Sequence, residues 1–133
     1  MELRYLYLGS DDTESDVTTW LAVPGTRLRW RFRHFGADVA AIDPGSYPIL
    51  LIADHRPAGS VLPIYAVADL DVARARLQAG GWSVELEPMG TPEGPACVMK
   101  APSATIIAVL QLDHPDAMDG AYADEANTHR VIP

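Results

Sequence analysis

The sequence holds a single cysteine, Cys97, so no intramolecular disulfide can form. That usage points to a reducing, cytoplasmic setting. Basic residues are scarce: ten Lys and Arg stand against eighteen Asp and Glu, a formal net charge of -8. Phosphate backbones repel such a chain, which excludes nucleic acid as a partner on electrostatic grounds. No apolar run exceeds five residues, Ile49–Ala53 being one. About twenty are needed to span a bilayer, so no membrane partner is expected. Glu2 stands where a secretory leader would carry positive charge, and no leader is expected either. Absent too are a Gly-x-Ser-x-Gly elbow, a phosphate-cradling glycine loop and a His-Glu-x-x-His helix, which removes the commonest hydrolase, nucleotide-binding and metalloprotease readings.

What is present is a chain of 133 residues, 48% hydrophobic and 21% charged, enough for one domain with a core of its own. Leu3–Leu8 reads as a strand. A helix follows, with Ser10, Asp11 or Asp12 as its cap, Val17, Trp20 and Leu21 as its apolar members, and Pro24-Gly25 as its stop. Leu28–His34 alternates, with Leu28, Trp30 and Phe32 on one face and Arg27, Arg29, Arg31 and Arg33 on the other. Asp38–Ile42 is a third strand, and the turn Asp43-Pro44-Gly45-Ser46 leads into the buried run Ile49–Ala53.

After the connector His55–Ser60 the scheme repeats. Val61–Val67 is a strand, and Asp69 caps a helix carrying Leu70, Ala73 and Leu77, which Gly80-Gly81 ends. Trp82–Leu86, Ala96–Lys100 and Ile106–Leu112 complete the set. Tyr5 and Leu62, Leu8 and Tyr65, Asp12 and Asp69, and Trp20 and Leu77 are all 57 residues apart. The same offset lays Ile49–Ile52 on Ile106–Val109, a repeat of pattern rather than of residues. The predicted domain is 1–112, with modules 1–57 and 58–112. The acidic tail 113–133 is expected to be flexible, or held only by contacts with the body or a partner subunit.

Two strand-helix-three-strand modules, with the stretch Asp69–Leu77 followed by Gly80-Gly81-Trp82, resemble the vicinal oxygen chelate superfamily. Its members include glyoxalase I, the bleomycin-resistance proteins and the ring-cleaving dioxygenases. The segment Ala101-Pro102-Ser103-Ala104-Thr105 sits where that family usually carries Asp-Pro-x-Gly-Asn, and departs from it at Ala101, Ala104 and Thr105. The resemblance implies an α+β fold: two βαβββ modules forming a curved, eight-stranded mixed sheet, a cup with its two main helices outside. It also implies a homodimer. The family's metal-ligand positions fall on Tyr5, Leu51, Leu62 and Ala108. Hydrocarbon cannot ligate a divalent ion, and one phenol is a poor site, so no metal and no other cofactor is expected.

On strand alternation the cup is lined by Tyr5, Tyr7, Ile49, Leu51, Leu62, Ile64, Ala108 and Leu110, with Ala53 and Ile106 on the same faces and Trp30 as a further ligand-binding candidate. Such a lining suits a small, mostly apolar or aromatic molecule; the alternative is that these side chains fill a closed core. Tyr5, Tyr7 and His55 are the candidates for acid–base work, His55 because it leaves its strand near the rim, flanked by Asp54 and Arg56. His34, His114 and His129 have no ligand spacing and read as surface residues. The arginine strand has two readings: an anion site, or edge protection and pairing with acids such as Asp38 and Asp43, which is preferred. Cys97 reads as a buried structural thiol. The functional expectation is a metal-free glyoxalase/bleomycin-resistance-like binding protein. The alternative is a lyase, isomerase or dioxygenase of the same superfamily.

Overall fold

The structure, a computed structural model, describes residues 1–34, 36–123 and 131. Its elements in chain order are β1 (Glu2–Gly9), α1 (Thr13–Leu21), β2 (Arg27–His34), β3 (Ala37–Asp43), β4 (Ile49–Ala53), β5 (Val61–Val67), α2 (Leu70–Ala79), β6 (Ser83–Thr91), β7 (Gly94–Lys100), β8 (Ile106–Gln111) and α3 (Ala117–Ala123). The class is α+β, and each βαβββ module runs in the order that the repeat foretold. By contacts the chain divides into two compact units. The first is Tyr5–Val61 with the described residues from Met118 onward; the second is Met1–Arg4 with Leu62–Ala117.

In the first unit the strand order is β2-β3-β4-β1. β1 runs parallel to β4, while β3 is antiparallel to both β2 and β4. Asp12 caps α1: its side chain accepts from Ser15 N at 3.1 Å and meets the unpaired donors of the first turn. Val17 then packs onto Ala40, Ile42, Leu50 and Ile52, joined by Leu6, Leu8, Trp20 and Leu28. This face is an apolar core; each fully buried branched side chain contributes about 1.5–3 kcal/mol.

β2 departs from the simple alternation read in the sequence. The register shifts between Leu28, opposite Ile42, and Trp30, opposite Ala41. One extra residue on β2 reverses the direction of every side chain after it. Leu28 therefore joins the α1 core, whereas Trp30 and Phe32 point to the opposite face of the sheet. Arg31, opposite Ala40, shares the α1 side.

The second unit repeats the plan in the order β5-β8-β7-β6. Asp69 caps α2 by accepting from Val72 N at 3.0 Å. Leu70 and its helix cover Cys97, Met99, Ile107 and Val109, with Tyr65, Val67, Trp82 and Val84 around them. β6 and β7 are longer than the sequence pattern implied and meet in a tight hairpin at Pro92-Glu93, where Thr91 pairs with Gly94. Pro88 lies within β6 and is accommodated because β6 ends the unit's strand order and its ladder is irregular between Leu86 and Met89.

The stretch after β8 is not featureless. Leu112 N bonds Val67 O at 3.0 Å, and Asp113 N and His114 N both donate to Glu93 O. The Glu93 side chain is 0% exposed and accepts from Asp116 N at 3.1 Å, while Arg4 pairs with Glu93 at 3.6 Å and with Asp116 at 2.9 Å. Chain 113–116 is thereby fixed to the second unit. α3 then forms where only tail was expected, and Val131 N donates to Arg31 O on β2 at 2.8 Å. The rest of the expected tail, His129 included, lies outside the described residues.

Candidate functional site

The registers of the first unit build a row of side chains on the sheet face away from α1. Trp30 stands opposite Ala41, Ala41 opposite Leu51, and Leu51 opposite Tyr7. Cross-strand partners share a face, so an indole and a phenol end the row with the apolar Ala41 and Leu51 between them. Phe32, Val39 and Ala53 form the next row. Tyr5, opposite Ile49, lies one step along β1. Tyr5, Ile49 and Leu51 are buried here at 2–3% exposure.

Tyr7 and His55 meet. The phenol oxygen lies 2.9 Å from His55 Nε2, and the two rings pack edge to face with centroids 5.5 Å apart. The phenol donates when that nitrogen is unprotonated and accepts when it carries the proton. The Arg56 guanidinium carbon lies 5.8 Å from the centre of the Tyr7 ring, and its Nε is buried with no hydrogen-bond partner among the described residues. The Tyr7 hydroxyl is pushed up to about 12, chiefly by burial; Arg56 works against this, while Tyr122 and Asp54 add to it. It is therefore a neutral phenol throughout the physiological range.

A further aromatic group completes the face from α3. The Tyr122 ring stacks on Phe32 with centroids 4.5 Å apart and lies 4.7 Å from Trp30, whose own ring is 5.9 Å from Phe32. Asp119, three residues earlier and thus on the same side of the helix, accepts from Trp30 Nε1 at 3.1 Å and pairs with Arg29 at 3.2 Å. Arg29 also reaches Asp43 at 3.8 Å and hydrogen-bonds Tyr47. Burial works to lower the Arg29 pKa, but Tyr47, Asp119 and Asp43 outweigh it and hold the guanidinium raised.

The remaining arginines of β2 also have acidic partners. Arg31 grips Asp38 with two hydrogen bonds of 2.8 and 2.7 Å, Arg33 adds a third at 3.1 Å, and Arg27 pairs with Asp43 at 3.2 Å. Pairing with Asp38 and Asp43 thus accounts for three of the four arginines, and Asp119 for much of the fourth. A surface groove of about 410 Å³ at this end of the β2–β3 hairpin is lined by Arg33, His34, Gly36, Ala37, Asp38 and Asp54. Of the residues that the sequence offered for a site, only Arg33, from the anion reading of the arginine strand, lines it, and Arg33 is paired with Asp38.

In the second unit, Ile64 stands opposite Ala108 and Leu110 opposite Ala66, on the side away from α2. Leu62, Ala108 and Leu110 are buried at 6, 6 and 1% exposure. Tyr5, Leu51, Leu62 and Ala108, to which the resemblance assigns the family's metal ligands, are a buried phenol and three hydrocarbons. Among the described residues, no three His, Cys, Asp or Glu gather where they could hold an ion. That donor set does not fit a divalent metal. Cys97 is 1% exposed and burial pushes its thiol up, so it is an inert packing residue.

Sequence reasoning missed Asp119 and Tyr122, which sit in a stretch of small and acidic residues with no apolar period, and it left Phe32 out of the site. For Trp30 and Phe32 the alternation was visible but the shift beside Arg29 was not, because a bulge leaves no mark in a hydrophobic pattern.

No family model and no curated protein matches the sequence. Solved structures do. A variant of Streptomyces coelicolor methylmalonyl-CoA epimerase, in complex with 2-nitronate-propionyl-CoA, superposes with a TM-score of 0.64 at 14% identity, covering 83% of this chain and 96% of that one. Methylmalonyl-CoA epimerase from Mycobacterium tuberculosis gives 0.66 at 14% identity, with 82% and 86% covered. A hypothetical protein from Bacillus halodurans gives 0.68 at 8%, with 82% and 92% covered. The chain has the vicinal oxygen chelate fold. Identities this low carry the fold alone. Among the described residues no helix is long and apolar enough to cross a membrane.

Proposed function

We propose that this vicinal oxygen chelate-fold protein binds a small, mostly apolar or aromatic molecule without a metal, in the manner of the glyoxalase/bleomycin-resistance-like branch. The observation that carries the reading is the face built by Trp30, Phe32 and Tyr7, with Tyr122 stacked on it. Rings meeting rings at 4.5–4.7 Å offer a seat for a further planar group, worth about 0.5–1.5 kcal/mol per ring pair beyond area burial. Tyr7, His55 and Arg56 supply the few polar groups that orient a bound molecule. The protein is proposed to act in the cytoplasm as a homodimer, with a small molecule rather than nucleic acid as its partner.

Calorimetry tests this with chelator-treated protein and 2-naphthol as the probe. One molecule should bind per chain, with a dissociation constant below about 1 mM and no change on adding zinc or magnesium. Absence of heat at saturating probe, or heat only with metal present, would overturn the reading.

The Tyr7–His55 contact favours a second reading, an acid–base enzyme of the epimerase or isomerase kind. It ranks below binding because a phenol at about 12 is far from the pKa that moves protons efficiently near neutrality. Deuterium uptake from D2O into methylmalonyl-CoA, abolished in His55→Ala, would promote it. So would one tightly bound divalent metal per chain on elemental analysis.

A further inference from the structure

α3 places two chemical groups on the aromatic face: the Tyr122 ring over Phe32 and Trp30, and the Asp119 carboxylate on Trp30 Nε1 and Arg29. Three residues apart on one turn, they act as a unit. One end is planar and aromatic, the other a carboxylate bonded to an indole N–H and a guanidinium. The receiving side has matching chemistry. Arg29 is only 15% exposed in its side chain, and its guanidinium can fork onto two carboxylate oxygens. Trp30, at 5% exposure, has one buried donor that needs an acceptor.

A seat that needs both a ring and an anion to satisfy its groups specifies its guest. We propose that the first unit's face is a binding site for aromatic carboxylates, and that Asp119 and Tyr122 of α3 occupy it as an intramolecular surrogate that such a ligand displaces. This rests on the aromatic-ligand reading above and narrows it to one charge class.

The acidic character of the protein does not oppose the assignment. The net charge of -8 acts over long range and is screened within about 8 Å at physiological salt, whereas the Arg29 contact is made at 3.2 Å. Asp43, 3.8 Å from Arg29, neutralises part of that charge and stays in place when α3 leaves. The selectivity for carboxylate over a neutral analogue is therefore modest, about tenfold, the size of one charge-assisted hydrogen bond. α3 is a seven-residue helix with no buried residue of its own. A helix so short is marginal alone, so its hold on the face depends on contacts such as those of Asp119 and Tyr122.

The test is calorimetry with naphthalene-2-carboxylate and naphthalene-2-carboxamide on the full chain, as wild type, Tyr122→Ala, Asp119→Asn, and Tyr122→Ala combined with Arg29→Gln. Removing the surrogate's ring should tighten carboxylate binding at least tenfold over wild type, and removing its charge should tighten it severalfold. The acid should outbind the amide about tenfold in Tyr122→Ala, and Arg29→Gln should erase that preference. Unfolding of one variant is detected by circular dichroism, and the other then decides. Equal acid binding by wild type and both variants overturns the surrogate role while leaving the aromatic-ligand reading intact. Equal binding of acid and amide overturns the charge class. No binding of either probe or of 2-naphthol by any folded variant removes both readings.

Discussion

Two residues carry conformational or electrostatic stress that can be measured. Ala104 has a φ of 72° in the turn after β7, where Ala104 N donates to Ala101 O at 2.9 Å and Ala101 N to Thr105 O at 2.8 Å. The superfamily motif has glycine at this position, and the left-handed region costs a Cβ-bearing residue about 1–2 kcal/mol. Ala104→Gly should stabilise the protein by about 0.5–1 kcal/mol after the added freedom of the unfolded chain is subtracted, read as a rise of a few degrees in Tm. Tyr7 gives the second test. Its folded pKa, about 12, exceeds the value near 10 of an unfolded phenol. The stability this confers is complete below about pH 10 and is lost as the pH climbs through 12. Urea unfolding at about pH 9 and about pH 11 should show wild type losing more stability than Tyr7→Phe. The sequence displayed Tyr7 and His55 as candidates because both residue types are chemically loud. Their 2.9 Å contact was not legible, since 48 residues separate them and only the β1–β4 pairing brings them together.

At the scale of elements, β2 and β3 are joined by more than their ladder. Asp38 receives Arg31 twice and Arg33 once, and its own backbone N donates to Asp54 at 2.8 Å. Burial acts to raise the Asp38 pKa, but the hydrogen bonds and charges of Arg31 and Arg33 prevail and hold it below its ordinary 3.8. A lowered carboxylate stabilises the fold at pH values above its unfolded pKa, and the contribution fades as the pH falls through the folded value. Asp38→Asn should cost about 2–3 kcal/mol near neutrality, and the gap to wild type should close in melts taken below about pH 3.8. The helices and most strands were plain in the sequence because caps and periodicity are local: Asp12 and Asp69 cap as their residue type dictates. The bulge in β2 and the hairpin at Pro92-Glu93 were not, because each depends on how a partner strand accepts an extra or a non-donating residue. The preference for pairing over anion binding along the arginine strand holds for Arg27, Arg31 and Arg33, whose acids lie on β3 itself. Arg29 differs; its nearest acid is Asp119, 90 residues away in sequence.

For the whole molecule, the repeat at an offset of 57 residues was the most informative signal in the chain, and it survives as two βαβββ units with equivalent helices. What distinguishes the units is chemical. The first bears the aromatic face and the α3 contacts; in the second, buried Arg4 and Glu93 and the half-exposed Asp116 fix the chain just before α3. Nothing in the sequence of the tail, taken alone, marks it as an element that packs, since its apolar residues come in runs of at most three without a period, among mostly acidic charges. Dimerisation, expected from the resemblance, should show in light scattering as twice the chain mass at micromolar concentration, and a monomer there would remove it from the account. The central claim is metal-free binding of a ring compound on the face that Trp30 anchors. It is tested most directly by the indole N–H signals of Trp20, Trp30 and Trp82 in a nitrogen-15 correlation spectrum, with chelator present and 2-naphthol added. Trp20 and Trp82 pack on the helix sides of their units, so the account requires the Trp30 signal to shift saturably while the other two stay in place. A Trp30 signal that does not move, or that moves only after a divalent metal is supplied, would contradict it.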